Sequence, residues 1–169
     1  MRLKFPESEI SKWANSYDCS QEEKALLELK PKILKLGYVD KIQLKQVAHW
    51  KSPRSASHID KNSDEFVKDI TTWSLSAKDE RSKIEVLTLL DGVSWPSASV
   101  ILHFFHYAPY PILDIRALWS VGMEINNQYS FSFWWPYVEF CRQVVERNSL
   151  DMRTLDRALW QYSKENQKV

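Results

Sequence analysis

Apolar residues recur three and four positions apart through most of this chain, the spacing of one helical face. After Pro6 and Glu7, the positions Ile10, Trp13 and Ala14 predict a short first helix. Ser20 followed by Glu23 has the form of a capping box and leads into Leu26, Leu29, Ile33 and Leu36. Gly37 stops that helix, and Pro31 is a point at which it can split. Asp40 caps a segment carrying Leu44, Val47 and Ala48, after which Ser52-Pro53-Arg54-Ser55 reads as a loop or tight corner. A helix from about Ser63 carries Phe66, Val67, Ile70 and Trp73, and another from about Ala77 to Leu90 turns Ile84, Leu87 and Leu90 inward.

The chain then turns through Asp91-Gly92-Val93-Ser94 into a helix ending near Tyr107. Ala108-Pro109-Tyr110-Pro111 breaks it, and Asp114 opens the next. After Gly122 comes a polar loop around Asn126 and Asn127, then helices from about Phe133 to Arg147 and from about Leu150 to Lys164. Nothing alternates with period two, nothing repeats, and three glycines and seven prolines leave little room for a turn-rich β sandwich. At 169 residues one core can bury about two-thirds of the unfolded surface. The prediction is an all-α fold, one compact helical domain over residues 1–169.

Composition removes several classes. No stretch approaches the roughly 18 apolar residues that span a bilayer, so no membrane partner is expected, and the first ten residues lack the apolar run of a signal peptide. Cys19 and Cys141 are too few for a four-thiolate cluster and make no zinc pair, while His103 and His106 share a face without a third ligand. No metal and no cofactor are expected, in a cytoplasmic, reduced compartment, from a monomer. Net charge is +1, too small for a global field toward nucleic acid. Locally, Lys30, Lys32, Lys35, Lys41, Lys45, Lys51, Arg54 and Lys61 face only Asp40 and Asp60. That excess is either a solvated basic face or a polyanion surface.

The informative stretches are Leu89 to Leu102, with Gly92-Val93 and Ser97-Ala98, and Pro111 to Gly122, with Asp114-Ile115-Arg116. Together they resemble the signature of helix-hairpin-helix DNA glycosylases of the endonuclease III type. In that family a helix ends in a Leu-x-Gly-Val-Gly hairpin, a second begins with Thr-Ala or Ser-Ala, and a catalytic Asp follows about one helix later. From Pro96, where bifunctional members carry lysine, to Asp114 is 18 positions, the interval expected for that type. The resemblance covers Leu87 to Gly122 and implies a helix-hairpin-helix over about 78–107 and a catalytic element over 111–122. It implies an enzyme that flips a damaged or modified base out of double-stranded DNA and hydrolyses its N-glycosidic bond, leaving an abasic site for repair.

The chemistry has its own logic. A tight turn feeding a helix start leaves backbone N–H groups without intrahelical partners, and these attract a phosphate without reading sequence. Gly92, Val93, Ser94 and Ser97 would supply that contact, with Lys45, Lys51, Arg54 and Lys61 adding charge. Breaking a glycosidic bond builds positive charge on the sugar, and a fixed carboxylate at Asp114 can stabilise it. Asp114 is equally a good helix N-cap. The flipped base must enter a pocket lined by rings. Trp95, Tyr107, Tyr110, Trp134 and Trp135 flank or follow the motif and are the candidates, whereas Trp13, Trp73 and Trp119 read as packing.

The departures from the family narrow the reading. Pro96 cannot form a Schiff base, so the chain resembles the monofunctional branch, without lyase activity. Ser94 replaces the second glycine, Asp91 sets a negative charge beside the phosphate site, and Trp50 to Arg54 stands where the family's strand-separating wedge follows the second core helix. Substrates in view are alkylated, deaminated or mismatched bases, and bulky modified cytosines of phage DNA; the last would make the protein an antiviral factor. Two other readings stand beside it: a non-catalytic helix-hairpin-helix DNA-binding protein, and a helical interaction protein whose aromatic faces bury a partner.

Overall fold

The structure is a computed structural model that describes residues 1–124 and 128–168; the stretch at Asn126 and Asn127 lies outside the described residues. Every regular element among the described residues is helical. In chain order they are α1 (Ile10–Asn15), α2 (Gln21–Leu36), α3 (Lys41–Lys51), α4 (Asp64–Ser76), α5 (Glu80–Glu85), α6 (Trp95–Phe105), α7 (Ile115–Ser120), α8 (Phe131–Arg147) and α9 (Met152–Asn166). Short 3₁₀ helices cover Glu7–Glu9, Pro53–Lys61 and Val86–Leu89. No helix among the described residues is long and apolar enough to cross a membrane. The chain falls into two compact units, one formed by Met1–Asp18 with Pro109–Val169 and the other by Cys19–Ala108.

Side-chain caps set most boundaries. Ser20, Asp40, Ser63, Asp79, Ser130 and Asp151 each accept a backbone N–H three residues on, which satisfies one of the orphan donors of a helix start. Asp40 and Gln43 complete a reciprocal box. Gly37 ends α2 in the left-handed region at φ 77°, a conformation that costs a side chain about 1–2 kcal/mol.

Four expectations need correction. Pro31 does not split α2, which runs on through it to Leu36. The helix expected over 77–90 is α5 followed by a tighter 3₁₀ turn, because Asp79 and not Ala77 is the residue able to cap. The corner at Ser52 is the start of a nine-residue 3₁₀ helix, Pro53–Lys61, which buries Ala56 and Ile59. The start of α8 also lies two residues earlier than Phe133, at Phe131, because Ser130 caps it.

The Cys19–Ala108 unit is built around α6, whose residues from Ser97 to Phe105 are all buried. Leu26 and Ile33 of α2, Leu44 and Val47 of α3, Val67 of α4 and Ile84 of α5 supply its core. Thr71 of α4 ties down the approach to α3, its hydroxyl accepting the Val39 N–H at 3.0 Å. Fully burying one such aliphatic side chain is worth about 1.5–3 kcal/mol, so α6 is the anchor of this unit.

The other unit packs α1, α7 and α8 against α9. Its first residues pair with the end of α7, Arg2 and Lys4 donating to the carbonyls of Val121 and Ser120. Tyr162 of α9 gathers Phe5, Trp13 and Trp119, with ring centroids 4.7, 5.2 and 5.9 Å away. Trp13 and Trp119 are half-buried there, in the packing role expected of them. Trp73 is not: it is 56% exposed on α4.

Candidate functional site

In the Cys19–Ala108 unit the informative feature is the turn Leu90–Val93. The Val93 N–H bonds the Leu90 carbonyl at 3.0 Å, and Gly92 sits at φ 82°. Two constraints make this position a glycine. The left-handed backbone disfavours any Cβ, and a Cβ here would lie 2.9 Å from both the Ser55 carbonyl oxygen and Ile59 Cδ1. The 3₁₀ helix Pro53–Lys61 therefore rides directly over the turn.

Asn62 fastens the turn from the same side. Its side-chain amide donates to the Asp91 carbonyl at 3.0 Å and accepts the Asp91 N–H at 2.9 Å, while also donating to the Ile59 carbonyl. A buried amide that meets both backbone groups of one residue acts like a short piece of strand pairing. Nothing in the sequence pattern marks Asn62 for this; it looks like one more polar residue ahead of a helix cap.

The turn delivers the chain to α6. Ser94 occupies the cap position without a side-chain cap bond, and Pro96 lies in the first turn, where its missing N–H costs nothing. The Ala98 N–H is the one that closes the first helical bond, to the Ser94 carbonyl at 2.8 Å. Ser97 is buried and its hydroxyl makes no hydrogen bond, so any contact it offers a ligand is through its backbone. Val93 is also buried, whereas Ser94 is exposed.

The expected basic residues divide. Arg54 and Lys61 are exposed on the 3₁₀ helix that covers Gly92, and Lys51 is half-buried one turn before it. Lys45 is engaged elsewhere: it pairs with Asp60 and lines an open cavity of about 510 Å³ with Tyr38, Lys41, Asp64 and Lys68. That pairing holds the Asp60 carboxyl below the usual carboxylate range. Arg54 and Lys61 thus lie on the 3₁₀ helix that covers Gly92 and Lys51 lies just before it, while Lys45 is tied to an acid.

In the other unit Asp114 caps α7, its Oδ1 accepting the Arg116 N–H at 2.9 Å. The segment before it is held on several sides. Arg142 Nε donates to the Pro109 carbonyl at 2.9 Å, and the Tyr137 hydroxyl donates to the Ile112 carbonyl at 3.2 Å. The Ile112 N–H donates to the buried Asp156 carboxylate at 3.1 Å, and Asp156 is paired with Arg153. A half-buried carboxylate at the end of such a segment has little freedom to reorient.

Its charge is felt nearby. Burial raises the Tyr129 phenol above its ordinary value and the Asp114 charge raises it further. Burial likewise pushes Tyr137 well up, with Cys141, Asp156 and Asp114 adding to it. Cys141 is itself pushed up by burial, which makes it a packing thiol and not a nucleophile. Among the described residues no three His, Cys, Asp or Glu side chains gather closely enough to hold a metal ion.

The five candidate pocket rings do not share one environment. Tyr110 and Trp134 are fully buried and stacked on each other, 5.7 Å between centroids at 12°. They belong to the core of their unit, and the Arg142 guanidinium carbon lies 4.6 Å from the Tyr110 centroid. Trp135 is half-buried, stacked on Phe131 at 5.8 Å. Trp95 is half-buried at the start of α6, and Tyr107 is 80% exposed. Tyr129, whose phenol feels the Asp114 charge, lies outside every motif in the sequence. No family model, no curated protein and no solved structure matches this chain.

Proposed function

We propose that this protein is a monofunctional DNA glycosylase of the helix-hairpin-helix kind, with the Leu90–Val93 turn as its hairpin and Asp114 as its carboxylate. The observation that carries the reading is the turn: a glycine in the left-handed region, clamped by Asn62, overlaid by a basic 3₁₀ helix and opening into α6. The start of α6 has first-turn N–H groups without intrahelical partners, and Arg54 and Lys61 stand on the neighbouring 3₁₀ helix; such a pairing suits a phosphate and a sequence-independent grip on a duplex.

Asp114 then does the chemistry. As the base departs, its carboxylate stabilises the positive charge growing on the sugar and orients the attacking water. Pro96 rules out the usual Schiff-base route, so the product is an intact strand with an abasic site. Tyr129, half-exposed and feeling the Asp114 charge, is the candidate ring to meet an extruded base, and the buried Tyr110 and Trp134 are scaffold.

A second reading has its own observation: Asp114 is a working cap, and a cap alone would suit a DNA-binding protein without catalysis. Mass spectrometry of bases released from a panel of alkylated, deaminated and bulky-cytosine DNAs separates the two. Wild type should release one class of base, and Asp114→Asn should lower that rate by about two to three orders of magnitude with DNA affinity retained. Release of no base from any duplex, with binding intact, moves the binding protein to the front.

A further inference from the structure

We infer that this chain binds a second copy of itself head to tail, the apolar and basic stripe of α2 in one copy docking into an acid-rimmed groove beside Trp73 in the other. The inference stands apart from the glycosylase reading and uses residues that neither the turn nor Asp114 needs. Both surfaces belong to the Cys19–Ala108 unit. On α2, Leu27 and Leu34 are 37% and 45% exposed, and the exposed Pro31 lies between them at helical spacing. The stripe is about 11 Å long at 1.5 Å per residue. Lys24, Lys30 and Lys35 stand within one turn of Leu27 or Leu34 and flank them, and Glu28 is the acid at their edge.

The groove is formed by α4, α5 and the 3₁₀ helix Val86–Leu89. Trp73, Ser82, Glu85, Val86 and Leu89 line a space of about 260 Å³. Leu89 is 60% exposed, and among the described residues the Trp73 side chain meets no ring and no hydrogen-bond partner. Single exposed apolar residues are ordinary, but two on the walls of one groove make a contiguous patch. Acids surround it. Asp69 is exposed one turn before Trp73 on the same face of α4, and Asp91 is exposed two residues past Leu89. Glu85 stands in the wall, held by Arg81 at 2.8 Å. Lys78 and Arg81 are the exposed cations at the margin.

Charge complementarity names the occupant. Among the described residues no ion pair engages Lys24, Lys30, Lys35, Asp69 or Asp91. Each surface therefore has an apolar centre and unspent charge, basic on the stripe and acidic on the groove, which brings unlike charges together when two copies meet. A phosphate backbone on α2 would satisfy the lysines and leave the leucines in water, whereas the groove takes both. Because the two surfaces differ, the contact repeats from copy to copy and does not close on itself. A stripe of two turns against one small groove falls below about 1,200 Å² of interface, so the association is weak and needs high concentration.

The test is sedimentation velocity of the full chain, without DNA, from about 1 to about 500 µM, the range in which small interfaces form. Wild type should move from monomer to a ladder of larger species, and the shift should shrink as salt is raised. Leu34→Glu spoils the stripe and Trp73→Glu the groove, and each variant alone should stay monomeric. Mixed in equal amounts they should form a dimer that grows no further, because one brings an intact groove and the other an intact stripe. All four positions used are exposed, and Leu27→Glu with Leu89→Glu repeats the experiment if either first variant loses its far-UV helical signal. A wild type that is monomeric at every concentration overturns the inference. So does a mixture that stays monomeric while the wild type associates, since one surface then meets itself, and so does association that grows with salt. None of these outcomes touches the glycosylase reading.

Discussion

Replacing Gly92 by alanine tests whether the turn is pinned as the structure has it. The added Cβ meets a left-handed backbone, which costs about 1–2 kcal/mol, and two atoms at 2.9 Å. One of these, the Ser55 carbonyl oxygen, is backbone and cannot swing aside; overpacking of that kind costs about 1–3 kcal/mol. Against this, alanine restricts the unfolded chain and returns about 0.4–1 kcal/mol. The net loss should be about 2–4 kcal/mol, a large part of the roughly 5–15 kcal/mol that holds a domain together. Urea denaturation should show a lower midpoint at unchanged m.

The geometry also predicts a coupling. The other atom at 2.9 Å is Ile59 Cδ1, which Ile59→Val deletes at a cost of about 0.5–1.5 kcal/mol alone. In the Gly92→Ala background the same deletion relieves a clash, so the double variant should be more stable than the sum of the two losses. Additivity within about 0.3–0.5 kcal/mol would mean that Ile59 does not lie over the turn, and the 3₁₀ helix would have to be placed elsewhere.

Other consequences are quicker to check. Asn62→Ala removes the clamp on Asp91, should cost about 1–3 kcal/mol in urea unfolding, and should weaken duplex binding more than a surface alanine does. Glu7 is held down to about 2 by hydrogen bonds from Arg147 and Asn148, so its share of stability is present above about pH 4.5 and lost as pH falls toward 2. Glu7→Gln should therefore cost under about 1 kcal/mol at pH 7, and the gap from wild type should close by pH 2. Borohydride should trap no protein–DNA adduct on a cognate substrate, because Pro96 offers no amine; a robust adduct would mean that another lysine forms a Schiff base.

Helices were legible because their signals are local. Ser20 and Asp40 read as caps and are caps, since a side-chain oxygen needs only the N–H three residues on. The errors came where a local rule has two outcomes. Pro31 can break a helix or ride within it, and burial of Leu26 and Ile33 on either side keeps α2 whole. The site was legible only in part. Gly92 and Asp114 announce themselves by residue type, whereas Asn62 acts on a residue 29 positions away, a distance no periodicity carries.

The cap at Asp114 bears on catalysis as well as on folding. Electrostatic stabilisation works when the charge is already in place and need not be turned at the moment of reaction. The Arg116 N–H fixes one oxygen, and the Ile112 peptide just before is gripped by Tyr137 and Asp156. An aspartate that caps is thus an aspartate with its rotamer chosen. Asparagine and serine both cap well, so Asp114→Asn and Asp114→Ser should fold alike and fail alike in base release, since both lack the carboxylate charge. If serine keeps the rate, the carboxylate contributes only its hydrogen bond, and water activation must come from a group other than Asp114.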